Sequence, residues 1–126
     1  MPSLYEDQFV NLSESSIEIK NYYMPSRRCR RVPIGHIGVL YFEEQQQSKV
    51  SLTRVWGRGH GLIYWALDLR RAIGRLRPST GGRSNVVVDI GGDQRLGFTV
   101  VDIDAFMDKM RECLDYHVII VNKINL

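Results

Sequence analysis

Arginines supply most of the side chains in this chain that could bind a charged partner. The sequence holds 13 arginines against 4 lysines, within a net charge of +3. A guanidinium group forms paired hydrogen bonds with a carboxylate or a phosphate, so clustered arginines favour an acidic protein face or an anionic lipid headgroup. A solvated loop without a ligand is the alternative that the pattern leaves open. The candidate binding residues are Arg27, Arg28, Arg30, Arg31, Arg58, Arg70 and Arg71.

Two glycine-rich segments resemble phosphate-binding loops, but their surroundings favour turns. Residues 57–61 read Gly-Arg-Gly-His-Gly, and residues 88–93 read Val-Asp-Ile-Gly-Gly-Asp. A dinucleotide loop needs a strand before it and a helix after it. Strand patterns flank 57–61 on both sides. Residues 88–93 resemble the phosphate-binding hairpin of sugar kinases with the actin-like fold, but that fold needs two large α/β domains, for which 126 residues leave no room. We therefore interpret both segments as hairpin turns.

The residues that usually carry catalysis show no catalytic spacing. His36, His60 and His117 have no metal-ligand spacing with one another or with Cys29 and Cys113. The H-E-x-x-H, C-x-x-C and G-x-S-x-G motifs are absent from the sequence. The sequence thus predicts a protein that is not an enzyme and has no cofactor or metal. Two cysteines are too few for a disulfide scaffold, and we expect both thiols to be unpaired.

Aromatic residues lie in apolar strand patterns, whereas the arginines lie in the segments between them. Tyr41, Trp56, Tyr64 and Trp65 all belong to such strand patterns. A nucleic-acid binder would interleave aromatic and basic side chains along one groove. This separation makes nucleic acid an unlikely partner, so a protein partner is the first prediction and an anionic phospholipid or phosphoinositide headgroup the alternative.

The elements that must position these residues are mostly strands. Alternation with a period of two indicates strands, and turn-forming residues divide them. On the strand near residue 20, Ile17, Ile19 and Tyr23 are expected on one face and Tyr22 on the other. The seven predicted strands cover about 9–12, 17–23, 30–42, 50–56, 62–67, 85–90 and 94–101. We expect an antiparallel arrangement, with the clearest hairpin at 85–101.

After Val101 the hydrophobic period changes from two to 3.6 residues. Apolar residues at helical spacing predict an amphipathic helix over about 103–115, with Asp102 as the N-cap. Those apolar residues are Ile103, Phe106, Met107, Met110 and Leu114. The fold class is therefore mainly β (α+β): a seven-stranded antiparallel barrel whose open end is closed by one C-terminal helix.

This layout resembles the small pleckstrin-homology-like (PH-like) domain proteins of the bacterial type. The resemblance covers about residues 5–115 and depends on the order of several short motifs. These are Ser16–Pro25, Arg31-Val32-Pro33 with Ile37, Arg54–Gly57, Tyr64–Asp68 and Gly97–Asp102 leading into Ala105-Phe106. The resemblance implies a binding module for phosphoinositides, peptides or partner proteins. The family's headgroup site usually has basic residues between its first two strands, whereas residues 13–16 here carry an acid and no base.

Size and composition complete the sequence-based expectations. A chain of 126 residues with 44% hydrophobic residues is expected to fold as a single domain. The N-terminus does not resemble a signal peptide, so we expect a cytoplasmic protein, peripheral to a membrane if it binds lipid. Residues 116–126 form an apolar C-terminal tail around 118–121. That tail is expected either to fold back beside the helix and complete the edge of the barrel, or to pair with a second copy as a homodimer through 117–126.

Overall fold

The computed structural model describes residues 3–45, 56–58, 63–68 and 83–124. These residues form ten strands and one α-helix. In chain order the strands are β1 (Tyr5–Glu6), β2 (Val10–Leu12), β3 (Ser16–Tyr23), β4 (Arg28–Pro33), β5 (Val39–Glu44), β6 (Gly57–Arg58), β7 (Ile63–Trp65), β8 (Ser84–Asp89), β9 (Arg95–Val100) and β10 (Ile119–Val121). The helix, α1, spans Ile103–Cys113.

The first sheet is a four-stranded meander in the order β1-β2-β3-β4, and every neighbouring pair is antiparallel. β3 begins with the alternation that its sequence predicts, because Ile17 and Ile19 are fully buried and Glu18 between them is not. The turn into β4 contains Arg27 in a left-handed conformation, with φ of 63°. The backbone N–H of Arg27 donates to the Tyr23 carbonyl over 2.6 Å and closes that turn.

The second sheet has six strands in the order β10-β5-β8-β9-β7-β6. β8 and β9 form the predicted hairpin, in which Ser84 lies opposite Val100 and Asp89 lies opposite Arg95. Two pairs in this sheet are parallel, β7 with β9 and β10 with β5. Residues on both faces of β8 and β9 are buried, so these two strands form the centre of the molecule.

The prediction of seven antiparallel strands is therefore confirmed only as far as the mainly β character. The single strand expected over 30–42 is two strands in different sheets, separated by a 3-10 turn at Ile34–His36. Pro33 is the last residue of β4, and the 3-10 turn follows it directly. The strand expected at 50–56 lies outside the described residues except for Trp56, and no closed barrel is found within the described ranges.

One main core joins both sheets and the helix. Its buried members include Ile17 and Val32 of the first sheet, Phe98 of the second and Phe106 of α1. α1 confirms the predicted helix, and Asp102 caps it by accepting a hydrogen bond from the Ala105 N–H over 3.1 Å. The buried face of α1 consists of Phe106, Met107 and Met110, as their spacing predicts.

The C-terminal tail folds back onto its own chain. Ile119 lies opposite Val39 in the parallel β10–β5 pair, and Ile124 is buried in a second cluster beside Trp65. This is one of the two arrangements that the sequence predicts. Ile119 remains 59% exposed, and a homodimer through 117–126 stays a prediction.

No helix within the described ranges has both the length and the apolar character that crossing a bilayer requires.

Candidate anion-binding cleft

A cleft of roughly 350 Å³ lies between the two sheets, at the end where β3 and β4 approach β6, β7 and the β8–β9 hairpin. Both sheets contribute to its wall. The lining residues are Tyr22, Tyr23, Arg30, Arg58, Tyr64, Asp93, Gln94, Arg95 and Leu96. Arginine and tyrosine together make up six of these nine residues. The cleft therefore presents cationic groups beside aromatic rings.

Three strands each bring one arginine to the cleft. Arg30 of β4 donates from Nη2 to Oε1 of Gln94 over 3.0 Å, which ties the first sheet to the β8–β9 hairpin. Arg95 of β9 places Nε 3.4 Å from a carboxylate oxygen of Asp89. Among the described residues, no carboxylate forms an ion pair with Arg30 or Arg58. These two guanidinium groups therefore retain the capacity to pair with an incoming anion.

The tyrosines form a contiguous aromatic surface. The Tyr22 ring centroid lies 5.0 Å from that of Tyr64 and 5.1 Å from that of Tyr23. The Arg30 guanidinium carbon lies 5.7 Å from the Tyr22 centroid, a distance at which the ring quadrupole attracts the cation. Tyr22 is 3% exposed and Tyr23 is 42% exposed, so the surface extends from the core to the solvent.

A bulge in β3 places Tyr22 in the cleft. The β3–β4 register shifts between Ile19 and Tyr23, and Asn21 adopts a left-handed conformation with φ of 54°. Between the pairs Ile19–Arg30 and Tyr23–Arg28, β3 has three residues and β4 has one, so two extra residues of β3 interrupt its alternation. The expectation that Tyr23 packs inward with Ile17 and Ile19 while Tyr22 points away is therefore wrong in burial. Tyr22 occupies the buried position instead, and Tyr23 lies at the rim.

Burial raises the pKa of Tyr22 well above its ordinary value of about 10, and the neighbouring Arg30 lowers it by a smaller amount. The pKa of Tyr5 is also raised, first by burial and second by its hydrogen bond to Asp7. Both phenols are therefore neutral at physiological pH.

The raised tyrosine pKa values predict a loss of stability in alkali. The folded state binds the phenol protons of Tyr5 and Tyr22 more tightly than the unfolded state does. Their contribution to the unfolding free energy is therefore fully present below about pH 10 and is lost progressively above it. We expect the unfolding free energy to begin falling as the pH passes about 10. Urea unfolding at several pH values checks this, and Tyr22→Phe should fall less steeply than wild type.

The ultraviolet absorbance of ionised tyrosine gives an independent measurement. Subtracting the titration of Tyr22→Phe from that of wild type isolates Tyr22. An ionisation of Tyr22 near pH 10 in the folded protein would contradict its placement in a buried site.

The structure separates the predicted arginine cluster. Arg30 lies in the cleft, whereas Arg31 faces the opposite side of β4 with Nη2 3.3 Å from Oε2 of Glu18. Arg27 donates from Nε to Oδ1 of Asn21, and Arg28 is exposed at the start of β4. Arg28, Arg30 and Arg31 all belong to β4, and neighbouring strand residues point to opposite faces. The predicted cluster is therefore not one surface.

The other predicted residues have different outcomes. Arg58 joins Arg30 in the cleft through β6, although the sequence indicated only a flexible turn there. Arg70 and Arg71 lie outside the described residues. Arg95 was not predicted, because its position after a hairpin turn gives no local signal. The expected separation of arginines from aromatic residues is also wrong in this cleft, since Arg30 contacts Tyr22.

A second cavity, of roughly 330 Å³, lies beside a buried polar network. Asp68 is 3% exposed and accepts hydrogen bonds from Gln45 over 2.8 Å and from Thr99 over 2.5 Å. Arg83 lies 4.0 Å from the same carboxylate, and its guanidinium carbon lies 5.1 Å from the Phe9 ring centroid. These contacts connect β5, β9 and the segment after β7. The network therefore has a structural role in joining strands.

The described ranges contain no group of three or more His, Cys, Asp or Glu side chains arranged to hold a metal ion. Cys29 is exposed and Cys113 is partly buried, and both thiols are free, as predicted.

Comparison with known proteins finds no family model, no curated protein and no solved structure that matches this chain.

Proposed function

We propose that this domain is a non-catalytic, PH-like binding module that docks an acidic segment of a protein partner in the cleft. One observation carries the proposal. Arg30 and Arg58 come from different sheets and meet beside Tyr22 and Tyr64, and no described carboxylate pairs with either arginine. A carboxylate that enters the cleft would gain charge-assisted hydrogen bonds, which are about twice as strong as neutral ones.

The tyrosines favour a peptide over an isolated anion. Tyr22, Tyr23 and Tyr64 offer ring surface as well as hydroxyl groups, so the apolar part of a side chain can pack where its charge is neutralised. Arginine and tyrosine are the residue types enriched at the centres of protein interfaces.

The proposal retains the resemblance to PH-like domains at the level of role and general layout. Two sheets with one C-terminal helix packed on their shared core agree with that layout. The parallel pairs β7–β9 and β10–β5 differ from the antiparallel strands expected of it. The argument for binding therefore depends on the cleft residues.

An anionic lipid headgroup is the second candidate, and one observation favours it. Tyr23 and Trp56 are 42% and 47% exposed, and each lies within two residues of a cleft arginine or tyrosine along the chain. Exposed tyrosine and tryptophan beside cationic groups are typical of proteins that rest at a membrane interface. In this alternative the headgroup would occupy the cleft and pair with Arg30 and Arg58.

Charge reversal in the cleft tests the proposed function. The double variant Arg30→Glu/Arg58→Glu should weaken binding of a glutamate-rich synthetic peptide by about tenfold or more, because each arginine contributes a charged hydrogen bond. Arg111→Glu, on the exposed face of α1, is the matched control and should bind as wild type does. Isothermal titration calorimetry measures the affinity, and circular dichroism verifies that each variant is folded.

Flotation with vesicles separates the two candidates. Phosphatidylcholine vesicles with and without phosphatidylserine or a phosphoinositide serve as probes. Anion-dependent flotation that is lost in the double variant, without peptide binding, would replace the protein-docking proposal by the lipid one. Wild type that binds neither probe would overturn both.

A further inference from the structure

β4 has an outer edge that no described strand covers. It is the last strand of the first sheet, and β3 is its one neighbour among the described residues. Ile34 donates its backbone N–H to Ser15, and Val32 and Arg30 lie opposite Ile17 and Ile19. Because hydrogen-bonded and non-hydrogen-bonded pairs alternate in an antiparallel ladder, even-numbered β4 residues bond towards β3. The backbone N–H and C=O of Cys29 and Arg31 therefore point outward.

The neighbouring strand pair supports this assignment. Ser13 donates to the Ser16 carbonyl, and Lys20 donates to the Phe9 carbonyl, each over 2.9 Å. Even-numbered residues of β3 therefore bond towards β2, and its odd-numbered residues are left to bond towards β4. The outward direction of the Cys29 and Arg31 backbone groups follows from two independent sets of hydrogen bonds.

The side chains of β4 make this edge strongly basic. Arg28 and Arg30 share one face, since they are two residues apart, and that face borders the cleft. Arg28 forms no ion pair with a described residue, and the side chain of Arg31 is 71% exposed despite its contact with Glu18. Three arginines therefore lie beside the outward-pointing backbone groups of Cys29 and Arg31.

We infer that the acidic partner segment binds in extended form, as an additional strand on the outer edge of β4. Its backbone would pair with Cys29 and Arg31, and its acidic side chains would occupy every second position. Residues directly opposite one another in a sheet point to the same face, so those carboxylates would lie beside Arg28 and Arg30 at the cleft. This inference rests on the proposed function and specifies how the segment enters the cleft.

The structure also limits the length of the added strand. Pro33 offers no N–H at the far end of β4, and the 3-10 turn at Ile34–His36 then turns the chain away. Pairing is therefore confined to residues 28–32. Cys29 is exposed and small, which leaves room for an incoming backbone. The preferred segment is short, with acidic residues at positions i and i+2.

Two synthetic peptides of the same composition test the binding mode. One alternates glutamate with threonine over about ten residues, and the other has its glutamates together. The alternating peptide should bind more tightly, and the amides of Cys29 and Arg31 should exchange more slowly with solvent when it is bound. A copy of this peptide in which one pairing backbone amide is N-methylated should bind about five- to tenfold more weakly, as expected for one lost hydrogen bond.

Substitution at Cys29 provides the matched test on the protein. Cys29→Pro removes an outward N–H, which an edge strand tolerates, whereas Cys29→Ala retains it. We expect the affinity for the alternating peptide to fall about five- to tenfold in Cys29→Pro and to stay unchanged in Cys29→Ala. Circular dichroism establishes that both variants fold, and the N-methylated peptide gives the same test on unaltered protein.

The possible failures are distinguishable. Three results together would overturn strand addition and leave the docking proposal standing. Both peptides would bind equally, N-methylation would have no effect, and Arg30→Glu/Arg58→Glu would abolish binding. If neither peptide binds wild type, both are overturned.

Discussion

Gly97→Ala should destabilise the fold by about 3 kcal/mol or more, because the central hairpin has no room for a side chain at this position. A Cβ atom built on Gly97 would lie 2.6 Å from Cδ2 and Cζ3 of Trp65 and closer still to Cε3. Trp65 is fully buried, so its ring cannot move into solvent without exposing a large apolar surface. Urea unfolding followed by tryptophan fluorescence measures the loss.

Gly35→Ala is the matched control for this substitution. Gly35 lies in the 3-10 turn, its φ is not positive, and an added Cβ would meet no atom within 4 Å. Its unfolding free energy should stay within about 0.5 kcal/mol of the wild-type value. A Gly97→Ala protein as stable as this control would show that the Trp65 ring does not lie over Gly97.

A double variant tests the cause of the effect. Trp65→Leu alone should be destabilising, because it leaves a cavity in the cluster with Ile63 and Val87. In Gly97→Ala/Trp65→Leu the clash is removed, so the total loss should be smaller than the sum of the single losses. Strict additivity would indicate that the two positions act independently.

The sequence predicts the C-terminal half of the fold well, since its signals there are local. Two apolar runs within residues 84–100 flank a Gly-Gly-Asp turn, and the structure has that hairpin. The period then changes, and α1 begins after Asp102 with Phe106, Met107 and Met110 buried. Each of these features depends on residues that are close together in the sequence, so residue type and spacing suffice to predict it.

The arrangement of strands could not be predicted in the same way. A parallel pair such as β7–β9 joins residues about 30 positions apart, and nothing in either strand specifies the direction of its partner. The bulge near Asn21 also has no clear local signal, because asparagine with positive φ is compatible with a regular turn as well. That bulge decides that Tyr22, and not Tyr23, is buried.

The sequence predicted that arginines form the candidate site, but it did not predict which residues lie together in the cleft. Arg30 and Arg58 were selected because arginine suits anions, and the structure brings both to one cleft. Arg31, the residue after Arg30, faces the other side of β4 because adjacent strand residues alternate. The tyrosines and Arg95 join the site through sheet packing between distant segments, which the sequence alone does not specify.

Phe106→Ala should cost about 3–5 kcal/mol of unfolding free energy, the range for deleting a fully buried phenylalanine side chain. The Phe106 ring lies edge-on to Tyr5, with centroids 5.5 Å apart, and 6.0 Å from the Phe98 centroid. It therefore joins α1 to β1 and β9 at once. Thermal and urea unfolding should both show the loss, and near-ultraviolet circular dichroism should show weaker aromatic signals.

Two controls separate loss of packing from loss of helix. Asp108 lies on the exposed face of α1, and Asp108→Ala should change the unfolding free energy by less than about 0.5 kcal/mol. Phe106→Leu retains most of the buried volume and should cost less than about 1.5 kcal/mol. A negligible effect of Phe106→Ala would place the side chain outside the core and contradict the role of α1 as the cover of the sheets. No lining residue of the cleft belongs to α1, so folded Phe106→Ala protein should bind the acidic peptide as wild type does.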